Sequence, residues 1–183
     1  MRVYFDTGVF VDHLSALGSP NAILRSAERR GRSPSGIAAD AQRLFDKVSR
    51  KHFGATSCLT YYEIEEALYQ LLMQSAKGVS QASALLVPAA RSISTQVHMV
   101  IELFKLEVLD LTAATVRLQL QQLDLQTRGI RAADALHVAS AIKFDADLFV
   151  STDSALLELD GLLMNNRGSK ILCKDTDSAL SLL

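Results

Sequence analysis

The stretch Ala132-Ala133-Asp134-Ala135-Leu136-His137-Val138-Ala139-Ser140-Ala141-Ile142, followed by Leu148-Phe149-Val150-Ser151-Thr152-Asp153, decides the fold. Its first part is apolar almost all round, which predicts a buried helix from about Arg131 to Phe144. Its second part is a short apolar run closed by Ser-Thr-Asp, which predicts a strand over Leu148–Ser151. A buried helix leading into a buried strand is the repeating unit of a parallel sheet covered on both faces.

The same alternation extends in both directions. Upstream, Arg2–Phe5 reads as a strand, and Val9, Phe10, Leu14 and Leu17 suit a helix ending near Gly18. Residues 18–36 carry Gly18, Pro20, Gly31, Pro34 and Gly36 and read as a loop-rich insertion. Helical spacing returns over Ile37–Lys51, and Phe53–Leu59 reads as a second strand. Thr60 with Glu63 three residues on matches a capping box, opening a helix with Ile64, Ala67, Leu68, Leu71 and Leu72 on one face. A long helical region, kinked around Pro88, is predicted over 80–104, then a strand at Leu106–Leu109 and a helix from Thr112 to about Arg128. After the opening stretch come a short helix over Ser154–Leu159, a last strand at Lys170–Cys173 and a last helix at Asp175–Leu182. The expectation is an α/β fold with a central, mostly parallel sheet, in one domain spanning residues 1–183.

Composition agrees. At 183 residues, 49% hydrophobic and 21% charged, the chain suits an ordinary globular domain and excludes a disordered tail or fibrous repeat. A formal net charge of -1 excludes a whole-surface polycation that coats nucleic acid. Cys58 and Cys173 lack zinc-type spacing and are too few for a disulfide framework, so two thiols in a reducing cytoplasm are expected. No run approaches the length of a membrane span, and the N-terminus lacks the apolar core of a signal peptide.

Four acids carry the functional signal. Asp6 ends the first strand, Glu63 lies just past the second, Asp153 just past the fourth, and Asp134 opens the buried helix. In open parallel sheets, ligands bind outside the carboxyl ends of the strands. Each acid alone also has an ordinary reading, since acids offset the positive end of a helix dipole. Together, however, they would repel one another, and a divalent ion is the natural compensation. An all-oxygen donor set suits Mg²⁺ or Mn²⁺, and the chemistry such ions support here is hydrolysis at phosphorus.

In order and spacing, Phe5-Asp6-Thr7, then Thr56-Ser57 with Glu63, then Ala133–Ala139, then Val150-Ser151-Thr152-Asp153 resemble the PIN domain, and within it the VapC-type toxin ribonucleases. The resemblance runs from Arg2 to about Cys173. It implies a three-layer α/β/α sandwich, Mg²⁺- or Mn²⁺-dependent endoribonuclease activity leaving 5′-phosphate and 3′-hydroxyl ends, and homodimers. In toxin members it also implies a cognate antitoxin. By position, Asp6, Glu63, Asp134 and Asp153 correspond to the family's catalytic, metal-binding acids, with Thr7 and Ser151 as supporting hydroxyls. Two departures stand out. Gly8 occupies a position where many members carry Asn, and extra length falls around 18–51 and 76–98. A non-cleaving PIN-like scaffold that binds RNA or protein, and a PIN-type nuclease outside any toxin–antitoxin pair, are the alternatives.

Residues 18–53 hold Arg25, Arg29, Arg30, Arg32, Arg43, Lys47, Arg50 and Lys51 against Glu28, Asp40 and Asp46. A solvated helix face with a mobile loop is expected there in preference to a phosphate-steering arm, because no aromatic residue lies among the arginines to stack on bases. His137 is read as a satisfied core histidine, Tyr61 and Tyr62 as rim packing, and Asp12, Glu65 and Glu66 as solvated helix positions. The motifs of P-loop, dinucleotide-binding and serine-hydrolase sites are absent, and Gly8 removes the Asp-x-Asp of a haloacid-dehalogenase-type phosphatase.

Overall fold

A computed structural model describes residues 1–15 and 28–183. Its strands are β1 (Arg2–Phe5), β2 (Phe53–Ser57), β3 (Glu107–Leu109), β4 (Leu148–Val150), β5 (Leu163–Met164) and β6 (Lys170–Lys174). They form one sheet in the order β3-β2-β1-β4-β6-β5. Every pairing is parallel except β5 with β6. The two-residue strand β5 had no readable signal, because so short a run shows no period.

The helices are α1 (Thr7–Leu14), α2 (Pro34–Lys51), α3 (Leu59–Ser75), α4 (Ala82–Leu103), α5 (Ala113–Gln121), α6 (Leu123–Thr127), α7 (Ala132–Lys143), α8 (Ser154–Leu157) and α9 (Thr176–Leu182). Side chains on a strand alternate between faces, and β1 divides the core accordingly. Val3 and Phe5 join the cluster with Phe10, Phe45, Ile64, Ile93 and Val97, under α1 to α4 and α9. Tyr4 joins Phe149, Ala135, Val138 and Leu156 on the other face, under α7 and α8. The result is the expected layering of helices, sheet and helices.

Four expectations about local structure change. The helix expected from Ile37 begins at Pro34, because Ser33 caps α2, its hydroxyl accepting from the Gly36 amide at 3.2 Å with Pro34 in the first turn. The capping box at Thr60 is not formed, because α3 already begins at Leu59 and Thr60 lies inside it. Its hydroxyl is buried against Thr56 Oγ1 at 2.8 Å, and Glu63 is drawn elsewhere. The helix expected from Thr112 to Arg128 is two, α5 and α6, divided at Gln122. The first helix ends at Leu14 with Ser15 as its C-cap, short of the expected end near Gly18; Gly18 itself and most of the 18–36 insertion lie outside the described residues.

The basic segment divides: along α2, Arg43, Arg50 and Lys51 form the expected solvated helix face, whereas Arg29 and Arg32 are drawn into ion pairs. Arg29 holds Asp12 through two hydrogen bonds of 3.0 and 2.7 Å and reaches Asp175 at 3.0 Å. Arg32 bridges Asp40 and Asp175, each at 2.9 Å. A tight turn aims both arginines the same way, with Arg30 and Gly31 at positive φ. The pairs join α1, α2 and α9. They also bury Asp12, which was expected in solvent. Arg43, Lys47, Arg50 and Lys51 follow α2 toward the start of β2, the edge of the sheet opposite the acids.

Candidate active site

The chain runs from β1 to β2 and β3 in one direction, then crosses to β4 and β6 on the other side of β1. That reversal opens a crevice at the carboxyl ends of β1 and β4, the place where open α/β sheets bind ligands. Asp6 follows β1 directly and Asp153 follows β4 after Ser151 and Thr152. Glu63 enters from the first turns of α3 and Asp134 from the first turn of α7. All four line one cleft of about 410 Å³, with Thr7, Gly8, Tyr62, Glu66, Ala67 and Thr152.

Within the cleft the acids differ. Asp6 is buried and accepts a 2.7 Å hydrogen bond from Ser151 Oγ. Glu63 accepts hydrogen bonds from Thr7 Oγ1 and from His137 Nε2, the latter at 2.8 Å. Asp153 is exposed and caps α8, its Oδ1 accepting from the Ala155 amide at 2.7 Å. Ser151 Oγ also receives the Asp153 amide at 3.1 Å, so one hydroxyl ties the loop after β4 to Asp6.

His137 is fully buried, as a satisfied core histidine should be, but its partners belong to the site. Nδ1 meets Tyr4 Oη at 2.7 Å, and Nε2 lies 3.8 Å from Asp6 Oδ1 as well as against Glu63. Ligand atoms of Asp6, Glu63 and His137 all lie within 4.8 Å of one another, the one such grouping among the described residues. An imidazole nitrogen therefore enters what the sequence suggested was an all-oxygen set. The readable signal was the spacing Asp134-x-x-His137, which places the two side chains on one helix face.

Electrostatics follow the geometry. Burial is the largest influence on Asp6 and raises its pKa, against the opposing pull of His137 and Ser151. Burial also works to raise Glu63, but the hydrogen bonds from His137 and Thr7 prevail and hold it below the usual carboxylate value. Asp134 is pushed up to about 6 by burial and by the charges of Asp6, Asp153 and Glu63. Burial opposes charging of His137, yet the carboxylates around it raise its pKa overall. A site in which carboxylates raise one another is short of positive charge, and its donors suit a divalent cation.

Gly8 has a steric reason. A Cβ at this position would lie 2.1 Å from Thr152 Oγ1 and 3.1 Å from Thr152 Cβ. Thr152 fills the space that a side chain at residue 8 would need.

Comparison with solved structures finds a chain of VapBC2 from Rickettsia felis, crystallised bound to a DNA fragment from their promoter. The match covers 96% of this chain and 98% of that one, with a TM-score of 0.51 and 14% sequence identity. The fold is PIN-like. At this identity the likeness is one of fold, and it agrees with the layering and strand order above. No family model matches the sequence, and no curated protein matches it. Among the described residues, no helix is long and apolar enough to cross a membrane.

Proposed function

We propose that this protein is a Mg²⁺- or Mn²⁺-dependent endoribonuclease, the toxin half of a cytoplasmic toxin–antitoxin pair, acting as a homodimer and held inactive by its antitoxin. The observation that carries the reading is the convergence of Asp6, Glu63 and His137 within 4.8 Å, beside Asp134 and Asp153 in one cleft. The PIN-like fold supports it, as does the likeness to a chain of a VapBC assembly. In this reading residues 1–183 are one domain, with 18–51 and 76–98 as insertions.

Asp6, Glu63, Asp134 and Asp153 would hold the ion, with His137 Nε2 donating to Glu63 and so orienting that carboxylate toward the same point. A divalent cation there supplies charge neutralisation and an acidified water for attack on the phosphodiester. The protein's own work is positioning. Ser151 fixes Asp6, Thr7 and His137 fix Glu63, and Tyr4 fixes His137.

The test is cleavage of a single-stranded RNA by purified protein with Mg²⁺ or Mn²⁺, compared with EDTA. Asp6→Asn and Asp134→Asn should each lower the rate about a hundredfold or more, with the fold intact by circular dichroism. Ion-independent cutting, or variants as active as the parent, would refute the reading.

A further inference from the structure

Tyr61 and Tyr62 are adjacent in sequence but have opposite surroundings. Tyr61 is half-buried against the core, and its hydroxyl meets His98 Nδ1 at 3.3 Å. Tyr62 is 66% exposed and lines the acid cleft. No hydrogen bond to the Tyr62 hydroxyl occurs among the described residues. Other large apolar side chains are exposed elsewhere, so exposure alone says little. Tyr62 differs because its ring stands at the mouth of the cleft that holds Asp6, Glu63 and Asp134.

The rest of that lining gives the ring its meaning. Apart from Tyr62 it consists of acids, threonines, Gly8 and Ala67, with no lysine or arginine among the described lining residues. Side chains here offer a phosphate chain no attraction, and the acids repel it. Affinity at this position must therefore come from a bound cation and from uncharged contact. The largest uncharged surface available is the Tyr62 ring. A protein anchor would pack such a ring among apolar neighbours, and here Ala67 is the sole aliphatic one in the lining. A nucleobase needs only a flat face.

We infer that Tyr62 is a stacking platform for an unpaired base next to the phosphodiester in the acid cleft. This rests on the nuclease reading for the class of substrate. A base paired in a helix has both faces covered by its neighbours, whereas an unpaired one can turn a face to the ring. Tyr62 is thus a specificity-determining residue. The hydroxyl is dispensable and the ring is required.

The chain contains no tryptophan, so Tyr62→Trp installs a single reporter at the cleft mouth. The probe is a short oligouridine RNA, added with Ca²⁺ in place of Mn²⁺ to suppress cutting while Asp134 stays in place to hold the ion. Expected are saturable quenching by the single strand and little by an RNA duplex. Under the same conditions, Tyr62→Phe should bind oligouridine within about twofold of Tyr62, and Tyr62→Ala about tenfold or more weaker. Thermal melts check that each variant is folded, as the exposure of Tyr62 leads one to expect. Unchanged tryptophan emission, or equal binding by Tyr62→Ala, overturns the inference and leaves the ring to a protein partner. Cleavage by the parent protein is measured in parallel. Quenching and the alanine loss without any cutting would remove the nuclease reading and keep the stacking site. Cutting without quenching would do the reverse.

Discussion

The unit that organises the cleft is a file of buried polar side chains, Tyr4, His137, Glu63 and Thr7. Tyr4 points to the α7 face of the sheet because strand side chains alternate, and there it meets His137 Nδ1 at 2.7 Å. That contact leaves Nε2 facing the acids, so the rotamer of Glu63 is set from inside the core. Among the described residues Asp134 has no hydrogen-bond partner, and the charges of Asp6, Asp153 and Glu63 outweigh that of His137 around it. A group whose folded value lies above its unfolded one stabilises the fold at low pH and loses that contribution as pH rises through the folded value. For Asp134 the loss runs from about 4 to about 6. In EDTA at pH 8, Asp134→Asn should therefore raise stability, by about 1–2 kcal/mol after allowance for solvent screening. Denaturant melts with and without EDTA measure this. A less stable Asp134→Asn protein at pH 8 would contradict the like-charge origin of the shift.

The turn from β1 into α1 and the turn from β4 into α8 form one joint. Asp6 accepts from Ser151, and Gly8 is fitted against Thr152. Because Thr152 is branched at Cβ and its Cβ and Cγ2 also lie 3.1 Å from the site of a Cβ on residue 8, rotation alone gives no relief. Gly8→Ala should cost about 1–3 kcal/mol, and adding Thr152→Ala should restore most of it. A double-mutant cycle by thermal melts checks the coupling, and additive effects would refute it. The sequence made the strands and helices on either side of this joint legible, since apolar runs and 3.6-residue stripes are local signals. The positions of Asp6, Glu63, Asp134 and Asp153 were legible too, because each adjoins an element end. The joint itself was not, because Gly8 and Thr152 are 144 residues apart and neither carries a pattern. For the same reason Asp12 read as a surface acid. Its partner Arg29 comes from a turn that no periodicity ties to α1. Glu63 was placed correctly but given the wrong partner, since a capping box is local and His137 lies 74 residues away.

At the scale of the whole chain, a net charge of -1 conceals a division of labour. Acids at the carboxyl edge of the sheet crowd one another, while Asp12, Asp40 and Asp175 are matched by Arg29 and Arg32. The unmatched set should govern how stability responds to pH and to metal. Asp6, Asp134 and His137 all have folded values above their ordinary ones. Each therefore stabilises at low pH and loses that contribution as pH rises. Glu63, held low, acts oppositely, but its loss falls below about pH 4.5, outside the neutral range. Between pH 5 and 8 this cluster should thus lose its stabilising contribution in the metal-free protein, while His13 and His52, both held low, work in the opposite direction over the same interval. A divalent ion competes with protons for Asp134, so its effect should grow over the same interval. At pH 8, Mn²⁺ at a hundred times its Kd should add about 2.7 kcal/mol. For a chain of this length that is a rise in Tm of roughly 5–10 °C. At pH 5 the rise should be much smaller. Thermal scans at the two pH values, with Mn²⁺ and with EDTA, measure it. An equal rise at both would mean that the ion binds away from the acids whose repulsion it is expected to relieve.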